Sequence, residues 1–192
     1  MRVLIIPEDF RQDQFLLKPL FESLFWRRLD IAKSKIRVCQ DPNLGGVGEA
    51  LKVERIQEIV DRYKSRTDIF ILCIDRDGEV SRRQALDGLE ERVQVPDTCV
   101  FLAEAAWEEI ETWALAGLEN LPRQWRWHDI RSEVHVKETY FEPLVRVRRL
   151  EASPGRGRKP LGEEAARRIH RILQLCPEDF GTLATRLESA CG

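Results

Sequence analysis

Two aspartates at the end of an apolar run have the spacing in this chain that best suits the binding of a metal ion. The run Ile69–Ile74 is short and rich in β-branched residues, which is typical of a strand buried on both faces. Asp75 and Asp77 follow it two residues apart, so in extended backbone their carboxylates project to the same side. Such carboxylates repel each other unless a cation such as Mg²⁺ lies between them. The alternative is that D-R-D-G is only a turn.

Another acidic pair follows the first apolar run of the chain. Val3–Ile6 has the pattern of a strand, Glu8 and Asp9 come just after it, and apolar residues at helical spacing follow. Parallel strands bring their carboxyl ends to one edge of a sheet, so we expect Glu8 to approach the two aspartates. The alternative role for Glu8 and Asp9 is capping of the first helix.

The segment Glu104–Glu119 carries the third group of acids. On a helix, Glu111 would fall inside an apolar stripe, with Glu109 on roughly the opposite face. A buried carboxylate needs a partner, a proton or a metal, so we expect Glu111 to have one of these. The alternative is a solvated acidic helix in which Glu111 reaches water through its methylene groups.

These acids require a sheet to position them, and the rest of the chain predicts one. Strand patterns at 3–6, 36–39, 69–74 and 98–103 alternate with helical patterns at about 12–29, 49–65, 80–92 and 105–119. The alternation predicts an α/β fold with a mainly parallel sheet and helices on both faces. We expect residues 1–120 to form this core and residues 121–192 to form a mostly helical extension packed on it. A glycine-rich segment at 41–48 serves either as a turn or as a rim near substrate.

The order of these motifs resembles the Toprim domain of topoisomerases, primases, small ribonucleases and old-family nucleases. An acid follows the first strand (Glu8), and D-x-D follows a later one (Asp75, Asp77). The combination of P-E-D, I-D-R-D-G and E-E-I-E-T-W-A-L-A is similar to a bacterial group of small Toprim-like proteins, some of them encoded beside ATPases in anti-phage systems. By motif the resemblance covers roughly residues 1–120, and more loosely R-K-P-L-G-E-E-A-A-R-R-I in the C-terminal part.

The resemblance implies a metal-dependent site for cleaving phosphodiester bonds. Glu8 would act as general acid or base, and Asp75 and Asp77 would bind Mg²⁺ or Mn²⁺. Glu111, ahead of Glu109 and Glu108, would complete the metal shell or hold a second ion. Because Toprim nucleases often place a lysine near the scissile phosphate, Lys137 is a further candidate.

The charge of the chain is distributed unevenly. Its total is −2, yet residues 146–159 contain six basic residues against one acidic residue, a local charge of +5. We expect nucleic acid as the target of these side chains, with residues 153–159 forming a flexible basic loop. The alternative is a solvated loop before a last helix. The basic residues are Arg146, Arg148, Arg149, Arg156, Arg158 and Lys159.

Composition limits the classes of protein that remain. No apolar run in the 192 residues approaches the roughly 20 needed to span a membrane. The N-terminus is too quickly acidic for a secretory signal, and the five cysteines show neither a C-x-x-C motif nor a disulfide framework. The three histidines lack the spacing of a zinc site. We therefore expect a cytoplasmic protein.

Three functions are consistent with these features. The first is a Mg²⁺-dependent nuclease that acts on DNA or RNA, together with a partner ATPase in anti-phage defence. The second is a catalytically silent Toprim-like subunit that binds a partner protein. The third is a phosphohydrolase or nucleotidyl transferase acting on a small nucleotide. The complete set of acids favours an enzyme, and the basic segment favours nucleic acid over a small substrate. Assembly into a homo-oligomer stays open.

Overall fold

Four parallel strands form one sheet in the order β2-β1-β3-β4. The structure is a computed structural model and describes residues 1–191. The strands are β1 (Arg2–Pro7), β2 (Lys35–Val38), β3 (Ile69–Asp75) and β4 (Val100–Ala106). Pro7 lies opposite Cys73, and Asp75 lies opposite Ala106. The strands therefore end together, and whatever follows β1, β3 and β4 meets at a single edge, here called the carboxyl edge.

Helices cover both faces of the sheet, which confirms the predicted α/β class. The helices are α1 (Phe10–Arg27), α2 (Val47–Ala50), α3 (Val53–Tyr63), α4 (Arg82–Arg92), α5 (Ile110–Gly117), α6 (Trp127–Ser132), α7 (Glu142–Val147), α8 (Arg158–Ala166), α9 (Ile169–Leu175) and α10 (Thr182–Cys191). One face, with Ile5 and Ile71, packs against α1, α5 and the later helices. The other face, with Leu4 and Phe70, packs against α3 and α4. Successive strand residues point to opposite faces, so an entirely apolar strand serves both layers.

The C-terminal part of the chain is helical and packs closely on the first helical layer. Besides α6 to α10 it contains π-helical turns at Lys137–Phe141 and Pro177–Gly181. At Gly162 on α8, a Cβ atom would lie 2.5 Å from the backbone oxygen of Phe15 on α1. At Gly117 on α5, it would lie 2.6 Å from the oxygen of Ala165. These glycines let α8 lie directly against both α1 and α5, which brings its first residue, Arg158, to the carboxyl edge.

Several of the predicted boundaries are wrong. The strand expected at 98–103 runs on to Ala106, because β4 remains paired with β3 along its whole length. The helix expected at 105–119 therefore begins only at Ile110. The helix expected at 49–65 is divided into α2 and α3. The basic loop expected at 153–159 ends at Gly157, whose φ of 87° ends the turn before α8 begins.

None of the helices within residues 1–191 combines the length and the apolar character that crossing a membrane requires.

Candidate metal centre

Three carboxylates converge at the carboxyl edge. Asp75, Asp77 and Glu109 each present one oxygen, and these oxygens all lie within 4.8 Å of one another. Asp75 is the last residue of β3, Asp77 lies in the turn after it, and Glu109 precedes α5. The group therefore joins residues from the ends of the adjacent parallel strands β3 and β4. The sequence predicted that Asp75 and Asp77 would lie at this edge.

The local backbone fixes each of the two aspartates. Asp75 Oδ1 accepts a hydrogen bond of 2.8 Å from the backbone N–H of Ile110, the first residue of α5. Asp77 has a left-handed φ of 54°, which aspartate tolerates better than most residues, and its side chain is exposed. The turn chemistry that stood as the alternative role for D-R-D-G is thus present, together with the convergence of the acids.

Glu8 and Asp9 have different roles. Glu8 Oε2 lies 3.5 Å from the backbone nitrogen of Asp75. Glu8 therefore faces the acidic group. Asp9 caps α1, because its Oδ1 accepts a hydrogen bond of 2.9 Å from the backbone N–H of Arg11. The capping alternative is correct for Asp9 and does not describe Glu8.

The acids expected on one helix occupy three separate positions. Glu109 joins the aspartates, whereas Glu108 accepts a hydrogen bond of 2.5 Å from the Gly78 backbone and pairs with Arg76 at 3.0 Å. Glu111 lies in the first turn of α5, is 4% exposed and forms a buried ion pair with Arg158. The expectation of a partner for Glu111 is met by an arginine. Glu109 therefore replaces Glu111 as the nearest candidate ligand after the aspartates.

The carboxylates are crowded in a partly desolvated setting. Burial raises the pKa of Asp75 well above its ordinary value, and the neighbouring acids raise it further. Burial also raises the pKa of Glu109 to about 7, against an opposing hydrogen bond from Lys137. The pKa of Glu8 is raised in the same way, while the positive charge of Arg82 opposes the rise. Groups in this state gain stability by binding either protons or a cation.

Asp13 is a further carboxylate near Asp75 that was not among the predicted site residues. Its carboxylate accepts a hydrogen bond of 2.9 Å from the backbone N–H of Asp9, and burial raises its pKa to about 7. The sequence signal is an acid four residues after the capping Asp9, in the first turn of a helix. Asp13 thus satisfies a backbone N–H at the N-terminus of α1.

The donor set fits a hard divalent cation. Mg²⁺ binds oxygen at about 2.0–2.1 Å, so two ligand atoms on opposite sides of the ion are about 4.2 Å apart. The limit of 4.8 Å among the three oxygens is slightly wider than this, so a bound ion would draw them closer together, and the exposed side chain of Asp77 can supply that movement. All the donors are carboxylate oxygens, which suit Mg²⁺ or Mn²⁺ and do not favour a thiolate-binding metal.

A buried aspartate holds the backbone that carries Glu109. Asp179 is 2% exposed, and its Oδ2 accepts hydrogen bonds from the backbone N–H of Trp107 at 2.8 Å and from the indole of Trp113 at 2.6 Å. Arg131 pairs with the same carboxylate at 3.2 Å and lies over the Trp107 ring. This network fixes residues 107–109 between β4 and α5.

Lys137 adjoins the acidic group through its backbone. Its N–H donates a hydrogen bond of 2.5 Å to Glu109, and its Nζ lies 3.5 Å from Glu138. Burial lowers the pKa of Lys137, but the charges of Glu138 and Glu111 outweigh burial and raise it. The side chain lines a cavity beside the acids.

The predicted basic segment is divided between paired and exposed residues. Arg158 is buried against Glu111, and Arg148 bonds Glu164 at 2.7 Å and the Glu119 backbone oxygen at 2.5 Å. Neither is positioned for a nucleic-acid backbone, so the expectation for these two is corrected: carboxylates of the fold hold them. The remaining four basic residues of the segment are exposed: Arg146, Arg149, Arg156 and Lys159.

Comparison of the chain with protein-family models, with curated proteins and with solved structures finds no match.

Proposed function

We propose that this protein is a metal-dependent nuclease that uses Mg²⁺ or Mn²⁺ to cleave phosphodiester bonds. One observation carries the proposal: carboxylate oxygens of Asp75, Asp77 and Glu109 lie within 4.8 Å of one another at the carboxyl edge of a parallel sheet. Open α/β sheets bind ligands at this edge. Crowded carboxylates with raised pKa values favour a cation between them.

Each acid has a distinct part in this chemistry. Asp75, Asp77 and Glu109 would hold the ion, which when bound neutralises phosphate charge and activates water. Glu8 lies beside them, held by the backbone N–H of Asp75. Its raised pKa keeps a proton on the carboxyl at higher pH, as a general acid for the leaving oxygen requires. Glu111 and Arg158 support the site without facing the ion.

Exposed cations in the segment that surrounds Arg158 in sequence suit an anionic polymer as substrate. Arg149, Arg156 and Lys159 are exposed on the turns and first helical residues next to Arg158. Joint action with a partner ATPase in anti-phage defence is part of the proposal and is supported by the resemblance of the motifs. A cytoplasmic location is supported by five free cysteines, of which four are buried.

Metal binding and cleavage test the proposal together. Calorimetric titration with Mn²⁺ should give binding that is lost in Asp75→Asn and Glu109→Gln. Cleavage of single- and double-stranded DNA and RNA with Mg²⁺ or Mn²⁺ should be lost in the same variants. Asp61→Asn is the matched control, because Asp61 is exposed and lies near the end of α3, before β3 begins. Absence of metal binding by the wild-type protein would refute the proposal.

The two alternatives give different results in these assays. A silent partner-binding subunit would bind metal weakly or not at all and would cleave nothing, with or without the ATPase of its genomic neighbourhood. A small-nucleotide phosphohydrolase or nucleotidyl transferase would bind metal and turn over nucleotides while leaving polymers intact. The exposed cations favour the nuclease over this last function.

A further inference from the structure

A cavity of about 440 Å³ opens beside the acidic group. Its size is that of a site for one small ligand, not of a groove for a duplex. Turn residues 151–157 and the helices α1, α7 and α8 enclose it, together with the turn at Lys137. The charged lining residues are Lys137, Glu142, Arg146, Glu151, Arg156 and Arg158.

This cavity and the acidic group share a wall. Lys137 lines the cavity, and its backbone N–H bonds Glu109 at 2.5 Å. Arg158 also lines the cavity, and it pairs with Glu111 on the acidic side. Lys137 and Arg158 therefore connect the cavity to the residues around the acidic group.

The cavity has spare capacity to bind an anion. Arg158 has a side chain only 7% exposed, and its Nε donates to no acceptor among residues 1–191. Arg156 is exposed and forms no ion pair within that range. Arg146 is held only by an exposed bond of 3.3 Å to Glu142, which a phosphate can displace. Arg156 and Arg146 can thus direct donors at a bound phosphate, while the guanidinium of Arg158 is engaged by Glu111.

Other lining groups match the remainder of a nucleotide. Glu142 and Glu151 are acceptors for sugar hydroxyls or for exocyclic amines of a base. Val145 adds an apolar residue to the wall. Two carboxylates in the wall would repel inorganic phosphate and weaken its binding. Their presence therefore favours a ligand that carries hydrogen-bond donors in addition to a phosphate.

We propose that this cavity binds a single nucleoside monophosphate unit, with its phosphate on Arg156 and Arg146. Two sources can supply that unit: the terminal nucleotide of a strand whose adjoining bond lies at the acidic group, or a free nucleotide. Binding of a strand end rests on the proposed nuclease function, whereas binding of a nucleotide in the cavity does not depend on that function. If the cavity binds a strand end, the enzyme processes the ends of strands in preference to continuous strands.

Binding without metal tests occupancy of the cavity independently of catalysis. In EDTA, the four deoxynucleoside monophosphates and inorganic phosphate are titrated into the full chain by calorimetry. Nucleotide binding should exceed phosphate binding and should weaken about tenfold or more in Arg156→Gln and Arg146→Gln, because each removes a charge-assisted hydrogen bond. Lys33→Gln, an exposed change before β2, is the control. Equal binding of phosphate and nucleotide, or unchanged binding in both arginine variants, would overturn the proposal.

Competition distinguishes the two sources. A short oligonucleotide with a terminal phosphate should displace a fluorescent nucleotide from the wild-type protein, whereas a closed circle of the same sequence should not. Displacement by neither polymer would assign the cavity to a free nucleotide. Displacement by both would overturn the assignment to a single unit. Mn²⁺ is also titrated into Arg156→Gln, where retained metal binding without nucleotide binding would separate the cavity from the metal centre.

Discussion

Glu111 and Arg158 form a buried ion pair that joins α5 to α8. Their side chains are 5% and 7% exposed. Arg158 also donates to Gln12 on α1 at 3.4 Å and to the backbone oxygen of Gly155 at 3.3 Å. The pair therefore fastens the C-terminal helices to the first helical layer beside the acidic group. A carboxylate expected to bind metal and an arginine expected to bind nucleic acid bind each other.

Breaking this pair should destabilise the protein strongly. Arg158→Gln leaves Glu111 buried and unpaired next to other acids, which costs about 3–5 kcal/mol of unfolding free energy. The double variant Glu111→Gln/Arg158→Gln should recover most of this free energy, because no buried charge remains. Urea unfolding of Arg158→Gln, Glu111→Gln and the double variant measures the coupling. If the decreases in unfolding free energy of the two single variants add up to that of the double variant, the pair makes no net interaction.

Neutralising the aspartates proposed as metal ligands should not harm the metal-free fold. Asp75→Asn relieves repulsion and keeps an oxygen for the Ile110 N–H, while Asp77→Asn suits the left-handed backbone. In EDTA we expect melting temperatures equal to or above that of the wild type. Saturating Mn²⁺ at about 100 times Kd should stabilise the wild type by about 2.7 kcal/mol and leave both variants unchanged.

A loss of stability in the metal-free asparagine variants would contradict this prediction. A clear decrease of melting temperature in EDTA for both asparagine variants would make the aspartates structural turn residues. Asp75→Ala serves as the reference for such a decrease, because it removes the acceptor of the Ile110 N–H, at a cost of about 1–3 kcal/mol.

Glu104 should make stability fall as pH rises. Burial raises its pKa to about 7 from an ordinary 4.5, despite Arg83 at 3.0 Å and Arg186 at 3.7 Å. Glu90 and Cys73 also lie near these groups. Because the folded pKa is the higher one, the contribution of Glu104 is full below about pH 4.5 and is lost as pH rises through about 7. Its share of the slope is at most about 1.4 kcal/mol per pH unit.

Glu104→Gln isolates that contribution. The variant stays neutral at every pH, so its unfolding free energy should fall less steeply between pH 5 and 7 than that of the wild type. Chemical unfolding at several pH values in EDTA measures both slopes. Parallel curves would show that Glu104 remains charged throughout, held by its two arginines.

Asp179 should be essential to the segment that carries Glu109. Asp179→Asn retains the size of the side chain but leaves a single oxygen for Trp107, Trp113 and Arg131, and places an amide against the guanidinium. We expect the unfolding free energy to decrease by about 3 kcal/mol. Mn²⁺ affinity should fall as well, while Glu178→Gln, an exposed neighbour that also pairs with Arg131, should change neither quantity by much. An unaltered Mn²⁺ affinity in Asp179→Asn would limit its role to stability.

The exposed cations should determine the salt dependence of nucleic-acid binding. Arg149→Gln/Lys159→Gln should weaken binding across sequences and reduce the slope of log K against log salt by roughly 0.7–0.9 for each phosphate that is no longer neutralised. The control Lys33→Gln/Lys35→Gln removes two exposed charges at the opposite edge of the sheet. A slope that the first pair leaves intact would assign this surface to another partner.

The predictable part of the site depended on strand ends. Glu8, Asp75 and Asp77 follow unbroken apolar runs, and the end of such a run marks the end of a buried strand. The location of these three acids on one edge of the sheet could therefore be predicted. Asp13 could have been recognised from its position in the first helical turn. The choice among Glu108, Glu109 and Glu111 could not be predicted. It depends on the residue at which α5 begins, and a helical wheel assumes that residue in advance.

The sequence by itself determined the α/β class, the parallel sheet and the presence of acids at its carboxyl edge, because hydrophobic periodicity reports local burial. Tertiary structure alone decided that residues 104–106 stay extended, since pairing of β4 with β3 outweighs the helical preference of alanine and glutamate. It also decided that Arg158 turns inward to Glu111. Both outcomes depend on contacts between segments far apart in sequence, which no local pattern records.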